Sequence, residues 1–166
     1  MNTTSANPFL TKIIFEPQLA ENEFFGIVAD IDPIVPEHYM LYTKVCRPSM
    51  ADCDTDAMAA FIEADFVSQM LKPYAYFERG RASFCTSMNG VQHGHGHLVP
   101  AFTTGMEKLF PYGAAECYAS IQEAYRHINP QGQYLLWGNL GKEFYVLQNV
   151  EALPKRTIRN TIRELC

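Results

Sequence analysis

The chain has 166 residues, 48% of them hydrophobic and 13% aromatic, with 19% charged against a usual share of about 25%. At roughly 150 residues per domain this predicts one domain, with enough apolar surface to offset chain entropy and exclude a disordered chain. Eighteen acidic against thirteen basic residues give a net charge of -5, which with no basic run speaks against a duplex nucleic-acid scaffold.

Taken in chain order, Met1 to Pro8 is polar rather than a charged-then-apolar leader. Residues 1–20 are expected as an N-terminal arm ahead of a single domain over 21–166. Phe24 to Ala29 reads as a buried strand, stopped by the turn signal Asp30-Ile31-Asp32-Pro33. A second strand is predicted from His38 to about Lys44, and the short Pro-containing link makes the two an antiparallel pair. Ala57, Met58, Phe61, Ile62, Phe66, Met70 and Leu71 fall on one helical stripe, with Asp54 or Thr55 as N-cap and Pro73 as terminator. Strands are predicted at Tyr74–Phe77 and Gln92–Val99. A second helical stripe runs from Ala114 through Cys117, Tyr118, Ile121, Ala124 and Tyr125 to Ile128. Tyr134–Trp137 and Phe144–Leu147 read as two strands joined near Asn139 and Gly141. Pro154 opens a last helix with Ile158, Ile162 and Leu165 on one face. Grouped strands with helices packed on them make the fold class α+β. The five cysteines, Cys46, Cys53, Cys85, Cys117 and Cys166, are odd in number and form no CxxC pair, so reduced thiols in a cytoplasmic protein are expected. No apolar run reaches the length of a membrane span.

The chemistry concentrates in His93-Gly94-His95-Gly96-His97, which holds three of the five histidines. On a strand, alternate side chains share a face, so the three imidazoles stand in a row about 6.6 Å apart. The outer two, about 13 Å apart, cannot both reach one ion at Zn–N distances of about 2.0–2.1 Å. A metal would need His38, His127 or carboxylates, and the expectation is no metal and no cofactor. Imidazole, largely neutral at pH 7, suits phosphoryl chemistry instead, since one ring can attack phosphorus while its neighbours handle protons.

His93-Gly94-His95-Gly96-His97-Leu98-Val99-Pro100 resembles the HxHxHxx signature of the histidine triad (HIT) superfamily. Phe25 to Lys44, with Asp30-Ile31-Asp32-Pro33 leading to His38, is similar to that family's first hairpin, and Tyr76 to Gly80 resembles a strand end of its bacterial members. The matches span about residues 24–100. The resemblance implies a HIT-like fold, a five-stranded antiparallel sheet with packed helices, and a homodimer with two such sheets side by side. It implies that His95 is the nucleophile at the α-phosphate of a nucleotide substrate. His93 and His97 would orient it and serve phosphate oxygens or the leaving group, and His38 would be a fourth imidazole from the neighbouring strand. It further implies that Asp30 holds the ribose hydroxyls, Ile31 lines the base pocket and Asn89 contacts phosphate.

The expected activity is that of a nucleotide hydrolase or nucleotidyltransferase working through a covalent nucleotidyl-histidine on phosphoramidates, dinucleoside polyphosphates or nucleotide conjugates. The alternatives are a non-catalytic nucleotide- or RNA-end-binding protein of the same fold, or a metal-binding histidine site. The glycines at 94 and 96 depart from the family's apolar spacers, and Gly90 stands where many members carry serine. Each residue also has a plainer reading: His38 opens a strand, Asp30 closes a turn and Asn89-Gly90 is a turn signal. Arg79 and Arg81 read as solvated. So does the basic face of Lys155, Arg156, Arg159 and Arg163. Trp137, Tyr134 and Tyr145 read as core.

Overall fold

Period-two alternation of apolar residues builds one antiparallel sheet, and the computed structural model describes it through residues 17–81, 93–101, 115–154 and 157–165. Its strands are β1 (Gln18–Glu21), β2 (Phe25–Ala29), β3 (Tyr39–Thr43), β4 (Tyr74–Gly80), β5 (His95–Pro100), β6 (Glu116–Tyr118), β7 (Tyr134–Asn139) and β8 (Phe144–Gln148). They lie in the order β1-β2-β3-β5-β4-β7-β8-β6. The sheet therefore has eight strands in this chain where five were expected. The difference arises at β4, whose outer edge pairs with β7 from Ala75 opposite Asn139 to Gly80 opposite Tyr134. β7 is buried from Tyr134 to Gly138, so its apolar side chains are removed from water only by joining a sheet already covered on both faces. At the other end, Gln18–Ala20, expected in the arm, instead belong to edge strand β1, with Glu21 opposite Gly26.

Helix α1 (Thr55–Phe61) starts where Asp54 accepts the Ala57 amide at 2.9 Å, as a capping aspartate should. It continues as a wide turn through Ile62–Phe66 and a tight one through Val67–Gln69. Met58, Phe61, Ile62 and Phe66 of the expected stripe are buried. Leu71 is fully exposed, because the chain leaves the helix at Met70 with an extended ψ of 137°. Helix α2 is only Ile121–Arg126. The longer helix expected from Ala114 to Ile128 is corrected at its start: Cys117 and Tyr118 lie in β6, opposite Tyr145 and Phe144. Ser120 accepts the Glu123 amide at 3.1 Å while the Glu123 carboxylate accepts the Ala119 amide at 2.9 Å, a reciprocal cap that begins α2 at Ile121. Helix α3 is Thr157–Leu165.

The two sheet faces carry separate cores. Ile27, Leu41, Tyr76, Leu98 and Leu136 pack under α1 and α2. Ala75, Phe77, Val99, Leu135 and Trp137 pack on the opposite face with Ile162 of α3. Tyr134 and Trp137 are core as expected, on opposite faces, and half-buried Tyr145 stacks on Trp137 with ring centroids 5.8 Å apart. Among the described residues, no helix is long and apolar enough to cross a membrane.

Candidate active site

The site forms on the α3 side of the sheet, where the β2–β3 loop folds back over β5. The Asp30 amide donates to the His38 carbonyl at 2.9 Å and so closes the loop at its neck. That bond brings both side chains beside β5, where Met40 lies opposite His97 and Tyr42 opposite His95. Phe77 faces His97 from β4 and stacks on its ring at 4.8 Å between centroids. The strand expected over Gln92–Val99 starts at His95; His93 and Gly94 run just ahead of it, and Gln92 is outside the described residues. His93 is buried, with Nε2 at the Thr43 carbonyl and 3.0 Å from Thr43 Oγ1, whose own hydrogen goes to the Val45 carbonyl at 2.7 Å. His93 Nε2 is therefore protonated.

The same accounting fixes His95 and His38. His95 Nδ1 lies 2.7 Å from the His93 carbonyl, an acceptor only, so Nδ1 carries the hydrogen and Nε2 the lone pair. The Ile34 amide donates to His38 Nδ1 at 3.1 Å, which puts the His38 hydrogen on Nε2, 3.4 Å from Asp30 Oδ2. His97 Nδ1 is 3.1 Å from that same oxygen. His97 Nδ1 is also in hydrogen-bond contact with His38 Nε2 at 3.0 Å, so it faces both an N–H and the carboxylate.

Burial dominates the electrostatics. It pushes His38 down to about 4 and His97 down to about 3, against the opposing pull of Asp30 in both cases. His95 and His93 are lowered by burial too, opposed by the carbonyls of His93 and Thr43. Burial would raise Asp30, but the His97 hydrogen bond, the charges of His97 and His38 when protonated and the Asp32 amide outweigh it and hold the carboxyl well below its usual range. At neutral pH the site is thus a set of neutral imidazoles around one carboxylate.

The lasting positive charge comes from α3. Arg159 Nη1 lies 3.3 Å from Asp30 Oδ2, and Nη2 donates to the Asp32 carbonyl. Ile162, one turn further on, is buried in the core of this face, so burying it carries Arg159 to the histidines. This corrects the reading of that helix face as wholly solvated: Arg159 turns inward, whereas Arg163 is exposed. Sequence reasoning had no means of aiming Arg159, since its target is 129 residues away.

Of the remaining candidates, Ile31 stands beside Asp30 with 69% of its surface exposed, and Asn89 and Gly90 lie outside the described residues. Arg79 and Arg81 are structural ties, engaged by backbone carbonyls and Asp52. Arg79 donates to the carbonyls of Pro154, Val150 and Leu153 at 2.9, 3.1 and 3.2 Å, anchoring the segment that leads into α3. Arg81 holds Asp52 at 2.8 Å and the Asn129 carbonyl at 2.6 Å. The glycine spacers have a steric cause: a Cβ on Gly96 would lie 2.1 Å from the Tyr76 hydroxyl, and one on Gly94 2.8 Å from the Ser49 backbone. Below Gly96, Tyr76 and Tyr125 share a 2.8 Å hydrogen bond, and Tyr125 donates to buried Glu78 at 2.5 Å. Glu78 also accepts the Met50 amide at 2.9 Å, and burial raises its carboxyl to about 7 against those bonds.

Asp30, His38 and His97 offer ligand atoms that all lie within 4.8 Å of one another, a spacing that a cation could use. The donor set does not fit one. With Ile34 N–H on Nδ1, His38 carries a hydrogen on Nε2 and has no lone pair there, and Arg159 already places a cation on Asp30.

No protein-family model matches the chain, and no curated protein does. Among solved structures, the fold is similar to the crystal structure of yeast Ap4A phosphorylase Apa2, at 11% identity and a TM-score of 0.49, over 86% of this chain and 64% of that one. The chain thus spans less than two thirds of that structure's length.

Proposed function

We propose that the protein is a histidine-triad-type nucleotide hydrolase or nucleotidyltransferase that forms a covalent nucleotidyl-His95. The observation that carries this reading is the 2.7 Å bond from His95 Nδ1 to the His93 carbonyl, which keeps the ring's lone pair on Nε2 within a group of neutral imidazoles. In the first step Nε2 attacks the α-phosphorus, the P–Nε2 bond forms, and the bond to the leaving group breaks with its electron pair leaving on that group. The His93 carbonyl then faces the Nδ1–H of a positively charged ring, a charge-assisted hydrogen bond. In the second step water or an acceptor alcohol displaces His95. Prior positioning of the nucleotide removes much of the entropic barrier to both steps. Phosphoramidates, dinucleoside polyphosphates and nucleotide conjugates are the substrate classes.

The test is a panel of such substrates with mass spectrometry of the peptide from Asn89 to Pro100. A nucleotidyl group on His95 and loss of turnover in His95→Ala are expected. Turnover by His95→Ala at the wild-type rate refutes the reading, and tight nucleotide binding without turnover or adduct replaces it with a binding protein. The cytoplasm fits the thiol chemistry: among the described residues Cys46, Cys53 and Cys117 are free, and burial, then Glu78, pushes the Cys53 thiol up to about 12. A homodimer joined through its sheets would have to use β1 or β6, the sheet edges among the described residues, because β5 and β7 occupy both sides of β4. Light scattering reads the mass.

A further inference from the structure

We infer that Arg159 is a substrate-binding residue, the counter-ion of the nucleotide's phosphate, and that it is parked on Asp30 until the sugar hydroxyls take that carboxylate over. The inference rests on the functional reading above and on the sugar-binding role that the family resemblance implies for Asp30. A nucleotide brings at least one negative charge among imidazoles that are neutral at pH 7, and Asp30 adds another. Burial lowers His38 and His97, which makes them poor sources of a balancing positive charge. Arg159 supplies that charge from a side chain only 14% exposed. It is felt at the histidines: burial is the largest influence lowering His95 and His38, and the Arg159 charge adds to it.

The present partner of Arg159 is one that the substrate must claim. Asp30 Oδ1 accepts the Asp32 amide at 2.8 Å, and Oδ2 faces His97 Nδ1 at 3.1 Å, Arg159 Nη1 at 3.3 Å and His38 Nε2 at 3.4 Å. A carboxylate has about four lone-pair sites, so hydroxyls that reach a side chain only 5% exposed must displace a donor. The two imidazoles are buried, whereas the guanidinium ends a long side chain and has a second hold. Its Nη2 donates to the Asp32 carbonyl and lies 3.6 Å from Asp32 Oδ2. Nη1 is therefore the donor that yields, and the Nη2 contact keeps the fork beside the histidines when it does. Helix α3 stays docked through the exchange, held by buried Ile162 and by the Arg79 bonds to Val150, Leu153 and Pro154. The freed N–H takes a phosphate oxygen, an acceptor that suits a guanidinium. Sugar and phosphate thus bind cooperatively, because each is easier to seat once the other has drawn Arg159 and Asp30 apart.

The experiment titrates the 5′-monophosphates of adenosine, guanosine, cytidine and uridine, and the four nucleosides, into wild-type protein, Arg159→Met and Arg159→Lys by calorimetry. On the wild type the monophosphate of the accepted base should bind more tightly than its nucleoside. Arg159→Met should shrink that gap about 10-fold or more and bind the nucleoside more tightly than the wild type does, since Asp30 is then vacant; Arg159→Lys should recover part of the gap. A helix that merely docks on the sheet would move both ligands together. The inference is overturned if Arg159→Met leaves the gap unchanged. A second measurement needs no variant: saturating nucleoside should raise the affinity of the wild type for inorganic phosphate about 5-fold or more, followed by NMR, and no rise overturns the inference. If no monophosphate binds and no nucleotidyl-His95 forms, the functional reading fails and the role of Arg159 with it. If the adduct forms while the gap survives in Arg159→Met, the functional reading stands and this inference alone falls.

Discussion

Replacing Gly96 by alanine tests why glycine stands inside the histidine strand. The added Cβ would sit 2.1 Å from the Tyr76 hydroxyl and 2.3 Å from its ring, so the ring must retreat by about 1 Å to reach ordinary contact. Tyr76 has no exposed surface to retreat into, and its hydroxyl is bonded to Tyr125 at 2.8 Å. Overpacking of this kind costs about 1–3 kcal/mol, and a strained or broken buried hydrogen bond adds about 1 kcal/mol. Alanine's smaller unfolded-state entropy returns about 0.5–1 kcal/mol, which leaves a net loss of about 1–3 kcal/mol. In urea, with a slope of about 2 kcal/mol/M, the midpoint should fall by about 0.5–1.5 M at unchanged slope. Adding Tyr76→Leu should then cost less than the sum of the two single changes, with a coupling of about 0.5–3 kcal/mol. A midpoint within about 0.2 M of wild type, or strict additivity, would refute the claim that Gly96 exists to admit Tyr76.

Three further outcomes follow from other parts of the molecule. Burial holds the Glu78 carboxyl at about 7 in the folded chain, so the unfolded chain ionises first and this group costs stability progressively as pH rises from its usual value of 4.5. The buried histidines act in the opposite sense, since His38 at about 4 and His97 at about 3 leave the unfolded chain to take up protons first as pH falls below 6.5. Glu78→Gln should therefore steepen the rise of stability with pH between about 5 and 6.5 by about 1.4 kcal/mol per unit, measured by urea titrations across that range. Arg79→Lys replaces a planar fork, whose two terminal nitrogens reach three carbonyls and Gln133 Oε1, by one nitrogen with three donors, and should cost about 1–3 kcal/mol and speed amide exchange over residues 150–153. Asp54→Ala removes the cap on the Ala57 amide and should lower stability by about 1 kcal/mol, read as a shift in the melting temperature of about 2–4 °C.

The parts of the fold that could be read beforehand are those written in local pattern. The hairpin from Phe25 to Thr43 carries its own turn signal and two dense apolar runs, and the alternation from His95 to Val99 sets three side chains on one face in any sheet. His38, His95, His97 and Asp30 belong to those segments, and it is their local pattern that singles them out as candidates. The helix misjudged at 114–128 shows the limit of periodicity: Cys117 and Tyr118 sit at helical spacing from Ile121, yet they pair with Tyr145 and Phe144. The reciprocal Ser120…Glu123 cap is what fixes the helix start at Ile121. Arg159 illustrates a different limit. Its neighbours along the helix say that it is basic, but only the docking of Ile162 on the sheet says what it meets. The steric demand at Gly96 was likewise invisible without knowing that Tyr76 would lie beneath it.

The strand order β3-β5-β4 also governs when the histidines can come together. β4 is made before β5, yet β3 and β4 must be held two strand spacings apart, about 9.6 Å, to leave a slot that the later strand fills. β3 and β4 have no ladder to share until His95–Pro100 enters between them, so sheet closure and assembly of the histidine cluster are one event in folding. Once seated, the central amides of β5 are released only by unzipping the sheet, and their hydrogen exchange should approach the rate of global unfolding.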